Sequence, residues 1–449
     1  MNRLRIFLII AFRNLIQARR RTLLLSVAIA AVTMLLVLLM SLSQGVNDNL
    51  IRSATTLSAG HVNVSGFFKA TIGDAAPILD DRATIRTIVE QNTPGLDYVI
   101  DRQRGWVSAI TPSGALQTGL AGIDIDDELH FPRVVQLALE SAYREGGQDV
   151  VLGDVNKLRE PNTAVIFEGQ ARRLGVTVGD AITFRSQTYR GITNTVDATV
   201  VAVARDIGLL SNFTIFVPKQ TVLELYQLSD KTTGGVLIYL KDIKKAEETM
   251  GHLRQVFEER GYDLMDHQPE PFFAKFNSVA GEDWTGQKID MTTWEDEVSF
   301  LTWILTALDT ISFFLITILA IIIAIGIMNT MWISVRERTR ELGTVRAMGM
   351  TRRDVLLLFM LEATMLGAFA SLVGGLFGAA LASAISAATI PIPLEAVRAI
   401  LLSDTLHLAV NIQHLVLSIL AMTLVTGLSA LWPSSRAARL QPVQAMQNT

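Results

Sequence analysis

The stretch Thr22-LLLSVAIAAVTMLLVLLMSLSQG-Val46 carries no charged side chain along its whole length. A hydrocarbon core of about 30 Å takes roughly 20 apolar residues in helix, and in lipid every backbone polar group has to be paired within the segment. The stretch therefore reads as a membrane-spanning helix. Three more runs read the same way: Thr310–Val335, Ala363–Leu394 and Ile412–Trp432. The third is too long for one straight span, so its end is set near Ala388, ahead of Pro391 and Pro393. Composition agrees. Half of the 449 residues are apolar, 18% are charged and mean hydropathy is +0.36, whereas soluble domains carry about a quarter charged residues.

The first run exceeds the apolar core of a signal peptide, about 7–15 residues, and no small-x-small cleavage site follows at once; it reads as a retained anchor. Ahead of it, Leu4, Phe7, Leu8, Ala11, Phe12 and Leu15 repeat at helical spacing among Arg3, Arg13 and Gln17, the pattern of an amphipathic helix lying on the membrane surface. Orientation follows from the short flanks. Arg3, Arg5, Arg13, Arg19, Arg20 and Arg21 stand before the first run, six arginines against three acids between Arg336 and Asp354, and Arg436 and Arg439 after the last. The stretch Gln44–Asp309 instead holds 24 basic and 37 acidic residues, a local charge of −13. The reading is four transmembrane helices with both termini cytoplasmic and one large extracytoplasmic domain between helices 1 and 2. Its segments are a cytoplasmic helix over 1–21, spans at 22–43, 310–335, 355–388 and 412–432, the domain over 44–309, a cytoplasmic loop over 336–354, an outer loop over 389–411 and a tail over 433–449.

The inserted stretch is long enough for two subdomains. Val62–Val64, Gly105–Ile110, Ala164–Phe167, Ala181–Phe184, Val196–Val203 and Val236–Leu240 read as strands. Ile243, Ala246, Met250, Leu253 and Phe257 make one helical face, and Glu168–Leu174 a short helix stopped by Gly175. The expected fold is α+β, with a β-rich insertion roughly between 125 and 215. Val46, Leu50, Ala54 and Leu57, and Val298, Leu301, Leu305 and Leu308, sit near helical spacing, so spans 1 and 2 are expected to continue as a helical stalk.

Several chemistries are missing. With no cysteine, disulfides, thiolate metal sites and cysteine nucleophiles are excluded. The six histidines form no His-x-x-x-His pair, and Asp124, Asp126, Asp127 and Glu128 fit no complete calcium loop. Gly-x-Ser-x-Gly is absent. No glycine precedes a lysine, so no Walker A phosphate loop exists within these residues. A net charge of −4 without a basic arm gives nucleic acid no footprint. The expectation is a chain with no catalytic residues, metal or cofactor of its own.

The segment Gly326-IMNTMWISVRERTRELGTVRAMG-Met350 leaves the second span through a charge-dense turn. Glu337 with Arg340, and Arg338 with Glu341, fall at i, i+3 and are expected to pair along a short helix. Leu342, Val345 and Met348 give that helix an apolar edge, flanked by Gly343 and Gly349, that calls for a grooved soluble partner. In the third span Gly367, Ser371, Gly375, Ala379, Ser383 and Ala387 recur every four residues, with Gly374 and Gly378 alongside, a stripe suited to close helix packing. Glu362, at the entry of that span, is expected to pair with an arginine, and Asp309 to sit at headgroup level.

This segment resembles the permease subunits of the MacB/LolC/LolE/FtsX type of ABC transporter. The resemblance lies in Met328-Asn329-Thr330, Arg336-Glu337-Arg338-Thr339-Arg340-Glu341-Leu342-Gly343, Arg346-Ala347-Met348-Gly349, Asp354-Val355 and Leu361-Glu362-Ala363. It extends to Pro433, Ala437-Ala438, Leu440, Pro442-Val443 and Ala445-Met446 in the tail, and to Arg13-Asn14-Leu15 and Arg19-Arg20-Arg21-Thr22 at the start. It implies that the loop holding Arg336, Glu337, Arg338, Arg340, Glu341, Leu342, Gly343, Val345, Arg346, Met348 and Gly349 docks on a separate ATPase, which binds ATP and Mg. It further implies two permease subunits, identical or homologous, with two ATPases in a bacterial inner membrane, and a stalk that carries motion to the periplasmic domain.

Within the family, Leu57-Ser58-Ala59-Gly60-His61-Val62-Asn63-Val64 and Glu168–Asp180 resemble lipoprotein-releasing permeases, which implies lipid or lipoprotein cargo and a periplasmic carrier. A MacB-like exporter working with an adaptor and an outer-membrane channel is the alternative; an FtsX-like regulator of cell-wall hydrolases would carry a smaller outer domain. Pro269–Thr293 departs from the pattern. For acyl cargo, Met34, Leu38, Leu42, Phe313, Phe314 and Ile318 are the candidate contacts between spans 1 and 2.

Overall fold

A computed structural model describes residues 3–439, apart from 74, 129, 207–209, 395–396 and 398–404; Leu440, Pro442, Val443, Ala445 and Met446 therefore lie outside the described residues. The chain forms two compact units, one of Met1–Asp48, Leu305–Pro391 and Thr405–Thr449, the other of Asn49–Ile304 and Ile392–Asp404. The helices used below are α1 (Arg3–Gln17), α2 (Arg19–Ser53), α3 (Arg82–Asn92), α4 (Glu168–Leu174), α5 (Lys219–Tyr226), α6 (Ala246–Glu259), α7 (Ser299–Glu337), α8 (Thr339–Ala347), α9 (Arg352–Ala387) and α10 (Ile412–Arg439).

Among the described residues four helices, α2, α7, α9 and α10, are long and apolar enough to cross a membrane. At 1.5 Å per residue, α2 and α7 each run more than about 50 Å, well beyond the roughly 30 Å hydrocarbon core, so each has length to spare outside lipid. Span 3 starts at a capping box, in which the Thr351 hydroxyl donates to Asp354 at 2.6 Å and accepts from the Asp354 amide. On α1, Ala11 is buried and Leu15 packs on the membrane-unit core, whereas Leu8 and Phe12, read onto the same stripe, are exposed together with Ile6, Ile9, Ile10 and Ile16.

The small-residue stripe of α9 serves two neighbours rather than one. A methyl group on Gly367 would meet the Thr426 side chain at 2.6 Å, and Ser371 hydrogen-bonds Thr423 Oγ1 at 3.1 Å, both toward α10. Gly375 also faces α10, at Ile419 and Leu415. Gly374 and Gly378 face α2; on Gly374 a methyl would lie 2.2 Å from the Ala30 carbonyl oxygen. Ala379 is half-buried and Ser383 and Ala387 are exposed, so the every-fourth-residue stripe loses its burial beyond Ala379, although Ala382 beside it is buried.

In the second unit nine strands follow in order: β1 (Val62–Lys69), β2 (Leu96–Ile110), β3 (Ala115–Ile123), β4 (Thr163–Phe167), β5 (Ala181–Gln187), β6 (Thr193–Ala204), β7 (Thr214–Pro218), β8 (Gly235–Leu240) and β9 (Gly286–Thr293). The antiparallel set β9-β1-β8-β2 pairs through Val62↔Ile238, Val62↔Thr293 and Ile100↔Leu237. Helices α3 and α6 cover one face, where Ile85, Ile88, Val89, Met250, Leu253 and Phe257 pack on Val62, Val64, Val236 and Ile238. Helix α3 connects β1 to β2 and α6 connects β8 to β9, a split β-α-β arrangement. The remaining chain is inserted between its second and third strands. It closes a ring, β2-β3-β7-β4-β6-β5-β2, in which β3–β7 and β4–β6 are parallel and the other pairs antiparallel. Alternate residues Val107 and Ala109, Ala164 and Ile166, Ile182 and Phe184, Ile215 and Val217 share its core.

The insertion differs from its expected limits of 125–215 because β3 and the second half of β2 belong to the ring. Strand β2 thus serves both parts: Leu96–Arg102 pairs with β8 and Gln103–Ile110 with β3.

Candidate functional site

The loop after span 2 folds as the nine-residue helix α8. A helix this short has little stability of its own in water, so its contacts have to hold it. The expected i, i+3 pairs do not form as read. Helix α7 ends at Glu337, and Arg338 takes φ −103° and ψ 12°, outside helical geometry; Glu337 and Arg338 therefore no longer share a helical surface with Arg340 and Glu341. Each reaches a different helix instead. Glu337 Oε2 accepts from Arg21 of α2 at 3.3 Å, and Arg21 also donates to Ser334 Oγ at 3.0 Å. Arg338 Nη1 donates to Glu362 Oε1 of α9 at 3.2 Å. Glu362 is the buried member, 5% exposed against 18% for Arg338. In this way one end of α8 is held to α2 and α9.

Its other contacts sort the predicted apolar edge in two. Leu342 is 7% exposed and joins Met331, Val335, Val355 and Phe359 in the core, and Gly343 is buried beside it. Leu342 is thus an anchor rather than an outward contact, a correction to its place on the exposed edge. Val345 and Met348, 37% and 76% exposed, face outward, as do Arg336, Arg340, Glu341 and Gly349, while Arg346 is half-buried. Gly349 has φ +109°, a left-handed conformation that ends the segment and turns the chain toward α9. The result is a short held helix presenting two adjacent apolar side chains among charges.

A second constellation, in the β unit, was not readable from the sequence. Arg102 of β2 is buried, 3% exposed, and its Nε and Nη2 donate to Glu128 Oε1 and Oε2 at 2.6 and 2.8 Å. Its partners lie far away in sequence, and a hydropathy reading turns Asp101-Arg102-Gln103-Arg104 into a loop. Of the acidic cluster 124–128, Glu128 thus serves Arg102, Asp126 pairs with Arg159 at 2.6 Å and Asp127 approaches Arg86 at 3.8 Å. Nearby, Lys275 and Asp290 form a buried pair at 2.8 Å. Burial pushes the Glu297 carboxyl up, against the opposing pull of Arg104 and of the Thr292 hydroxyl, which donates to it at 2.7 Å.

The candidate acyl contacts are spread out. The Met34 backbone rests against Gly378 of span 3, whereas Phe313, Phe314 and Ile318 are exposed on α7. Leu38 and Leu42 are half-buried. Asp309 accepts a hydrogen bond from Ser43 Oγ at 2.6 Å.

Two family descriptions match this chain: the MacB-like periplasmic core domain over residues 22–256 and the FtsX-like permease C-terminal over 313–442. An uncharacterized ABC transporter permease of Methanocaldococcus jannaschii is 22% identical over 454 residues, covering 97% of this chain and 96% of that protein. The macrolide export ATP-binding/permease protein MacB of Agrobacterium fabrum is 25% identical over 373 residues, 81% of this chain and 49% of that one. The pyoverdine export ATP-binding/permease protein PvdT of Pseudomonas syringae is 42% identical over 123 residues, 27% of this chain and 16% of that one. The chain therefore spans about half the length of the Agrobacterium protein. With four candidate membrane helices and a sheet-rich domain inserted after the first, the chain belongs to the ABC transporter permeases that join a MacB-like periplasmic core domain to an FtsX-like permease C-terminal domain.

Proposed function

We propose that this chain is the membrane subunit of an ABC complex in which a separate ATPase docks on α8 and ATP-driven movement is transmitted to the periplasmic domain. The supporting observation is the presentation of Val345 and Met348 on a helix held by Arg338–Glu362 and Glu337–Arg21. Two such permeases, identical or homologous, would pair with two ATPases in the inner membrane. Both termini and α8 would be cytoplasmic, as the arginine-rich flanks favour. Replacing Val345 and Met348 with Asp tests this; Leu342 is spared because a charge there would enter the core. The expected result is loss of ATPase copurification with the β domain still folded. An intact, fully active complex would refute the docking.

For cargo, lipid or lipoprotein extraction toward a periplasmic carrier rests on the Leu57–Val64 and Glu168–Asp180 wording. Export, the alternative, is favoured by the relatives, whose names specify macrolide and pyoverdine export. Of the candidate acyl contacts, Phe313, Phe314 and Ile318 are exposed on α7 and the Met34 backbone rests against Gly378. Purifying the complex from its host separates the two: hydrolysis stimulated by lipoprotein supports extraction, and a copurified adaptor and channel supports export.

A further inference from the structure

Helix α2 changes form as it reaches the β unit. After Ser53, residues Ala54–Ser58 make a π-helical turn, with Ala54, Thr55, Thr56 and Leu57 all buried. Such turns are rare and are frequently found at functional sites. The carbonyls at a helix end need partners from outside the helix, and here two strands supply them. Arg102 of β2 donates Nη1 to the Leu57 carbonyl at 3.0 Å and Nη2 to the Thr56 carbonyl at 2.8 Å. The Tyr239 hydroxyl of β8 donates to the Thr55 carbonyl at 2.6 Å and lies stacked on Tyr98, ring centres 4.3 Å apart. Glu128, by holding Nε and Nη2, fixes the guanidinium plane in which this happens.

The neighbouring residue on β2, Asp101, points to the opposite face. It binds Arg86 Nη1 at 2.9 Å, Arg82 Nε at 3.0 Å and Lys219 of α5. A single strand is therefore fastened by charge on both faces: to the helix-bearing sheet, to the ring through α5, and to the end of α2. A cavity of about 340 Å³ opens beside the turn, walled by His61, Tyr98, Glu128, His130, Phe131 and Tyr239. It leaves the turn space that a close-packed core would deny it.

We propose that this π-turn is the joint at which movement of α2 enters the β domain, with Arg102 as the positioning residue that passes it to β2 and hence to sheet and ring together. The inference rests on the reading that ATP-driven movement travels along the first span. Returning the turn to α geometry shifts the helix end by about 1.5 Å, the rise of one residue, and withdraws the carbonyls of residues 55–57 from Arg102 and Tyr239.

Hydrogen exchange of the full chain with its ATPase, with and without ATP and vanadate, reads both sides of the joint. In the wild type, exchange in residues 54–60 and in 99–104 should change together on nucleotide trapping. In Arg102→Gln the response of 54–60 should persist while that of 99–104 is lost. Because this variant strands Glu128, two others accompany it: Arg102→Leu with Glu128→Leu, which leaves no unpaired charge, and Tyr239→Phe, which removes one hydrogen bond. Both should weaken the 99–104 response. A β2 response that survives intact in the folded variants overturns the joint, and so does a wild type that turns over without any change at 54–60. Full activity of the Val345 and Met348 variants would instead strike the docking reading, so the two failures are told apart.

Discussion

Replacing Arg338 with Met should release α8 from span 3 while leaving the membrane unit folded. The Arg338–Glu362 pair is nearly buried, and Glu362 Oε2 has no other hydrogen-bond partner among the described residues. Removing one member of a buried pair costs about 3–5 kcal/mol, mostly as the penalty on the charge left behind. The 18% exposure of Arg338 lowers this, so about 2–3 kcal/mol remains at the surface end of the range. The other anchor of α8 is burial of Leu342, about 1.5–3 kcal/mol, and a nine-residue helix contributes little by itself. Ordering nine residues costs more than that burial returns, so loss of the latch favours the released position and leaves only about one helix in ten to one in a hundred competent. Apparent affinity for a partner falls with the fraction of competent helix, and each 1.4 kcal/mol is about tenfold; ATPase binding should weaken by about ten- to a hundredfold. Titration of purified ATPase onto the permease in lipid discs measures it. Met at both 338 and 362 removes the stranded charge and should restore binding to within about threefold, closing a double-mutant cycle with a coupling energy of about 2–5 kcal/mol. If both single variants bind like the wild type, or the double variant is no better than the worse single one, the latch does not position α8.

Three further outcomes are expected. Gly374→Ala forces a methyl against the Ala30 backbone at 2.2 Å and should destabilise the membrane unit by about 2 kcal/mol. Gly326→Ala, on a span position with nothing within 4 Å, should gain up to about 1 kcal/mol of helix propensity; equal melting temperatures for the two would refute the packing. Glu297, its carboxyl raised by burial, binds more protons folded than unfolded just above its ordinary value of 4.5, so stability is fullest below that value and lost as pH rises through the raised one. Glu297→Gln should flatten this slope in thermal melts across that window, and an unchanged slope would count against it. Lys69 donates to the Val279, Ala280 and Glu282 carbonyls at 2.8, 3.3 and 2.6 Å. Lys69→Met should forfeit about 3 kcal/mol of charge-assisted bonding and open residues 270–285 to limited proteolysis, which unchanged cleavage would contradict.

The parts of this fold that were legible in the sequence are those governed by apolar continuity. Long uncharged runs marked the four helices, and short apolar stretches marked strands such as Ala181–Phe184 and Val236–Leu240. What escaped was polar and buried. The middle of β2 contains Asp101, Arg102, Gln103 and Arg104, three of them nearly inaccessible, and β9 reads GQKIDMTT while four of its last five residues, Ile289–Thr292, are almost wholly buried. Each of these polar residues is paid for by partners distant in sequence, which no local window can see. The closed ring was equally hidden, since β3–β7 and β4–β6 are parallel pairs of separated segments. At α8 the error ran the other way: local i, i+3 complementarity was present, but the break at Arg338 sent both charges to other helices.

That break and the π-turn at Ala54–Ser58 share a logic. At both places a long helix that crosses the membrane gives up regular geometry, and at both an arginine is held by a buried glutamate, Arg338 by Glu362 and Arg102 by Glu128. Buried ion pairs are poor stabilisers compared with leucine packing, so stability alone does not account for them. A guanidinium, however, can hold a carboxylate and backbone carbonyls in one plane, as Arg102 does, and apolar side chains cannot satisfy the carbonyls of a helix end. An apolar contact can also slide through many nearly equal arrangements, whereas a pair that must keep its hydrogen bonds has one held state and one released state. On the proposed docking and joint, two such points, one at α8 and one at β2, would let the permease pass on movement in a discrete step.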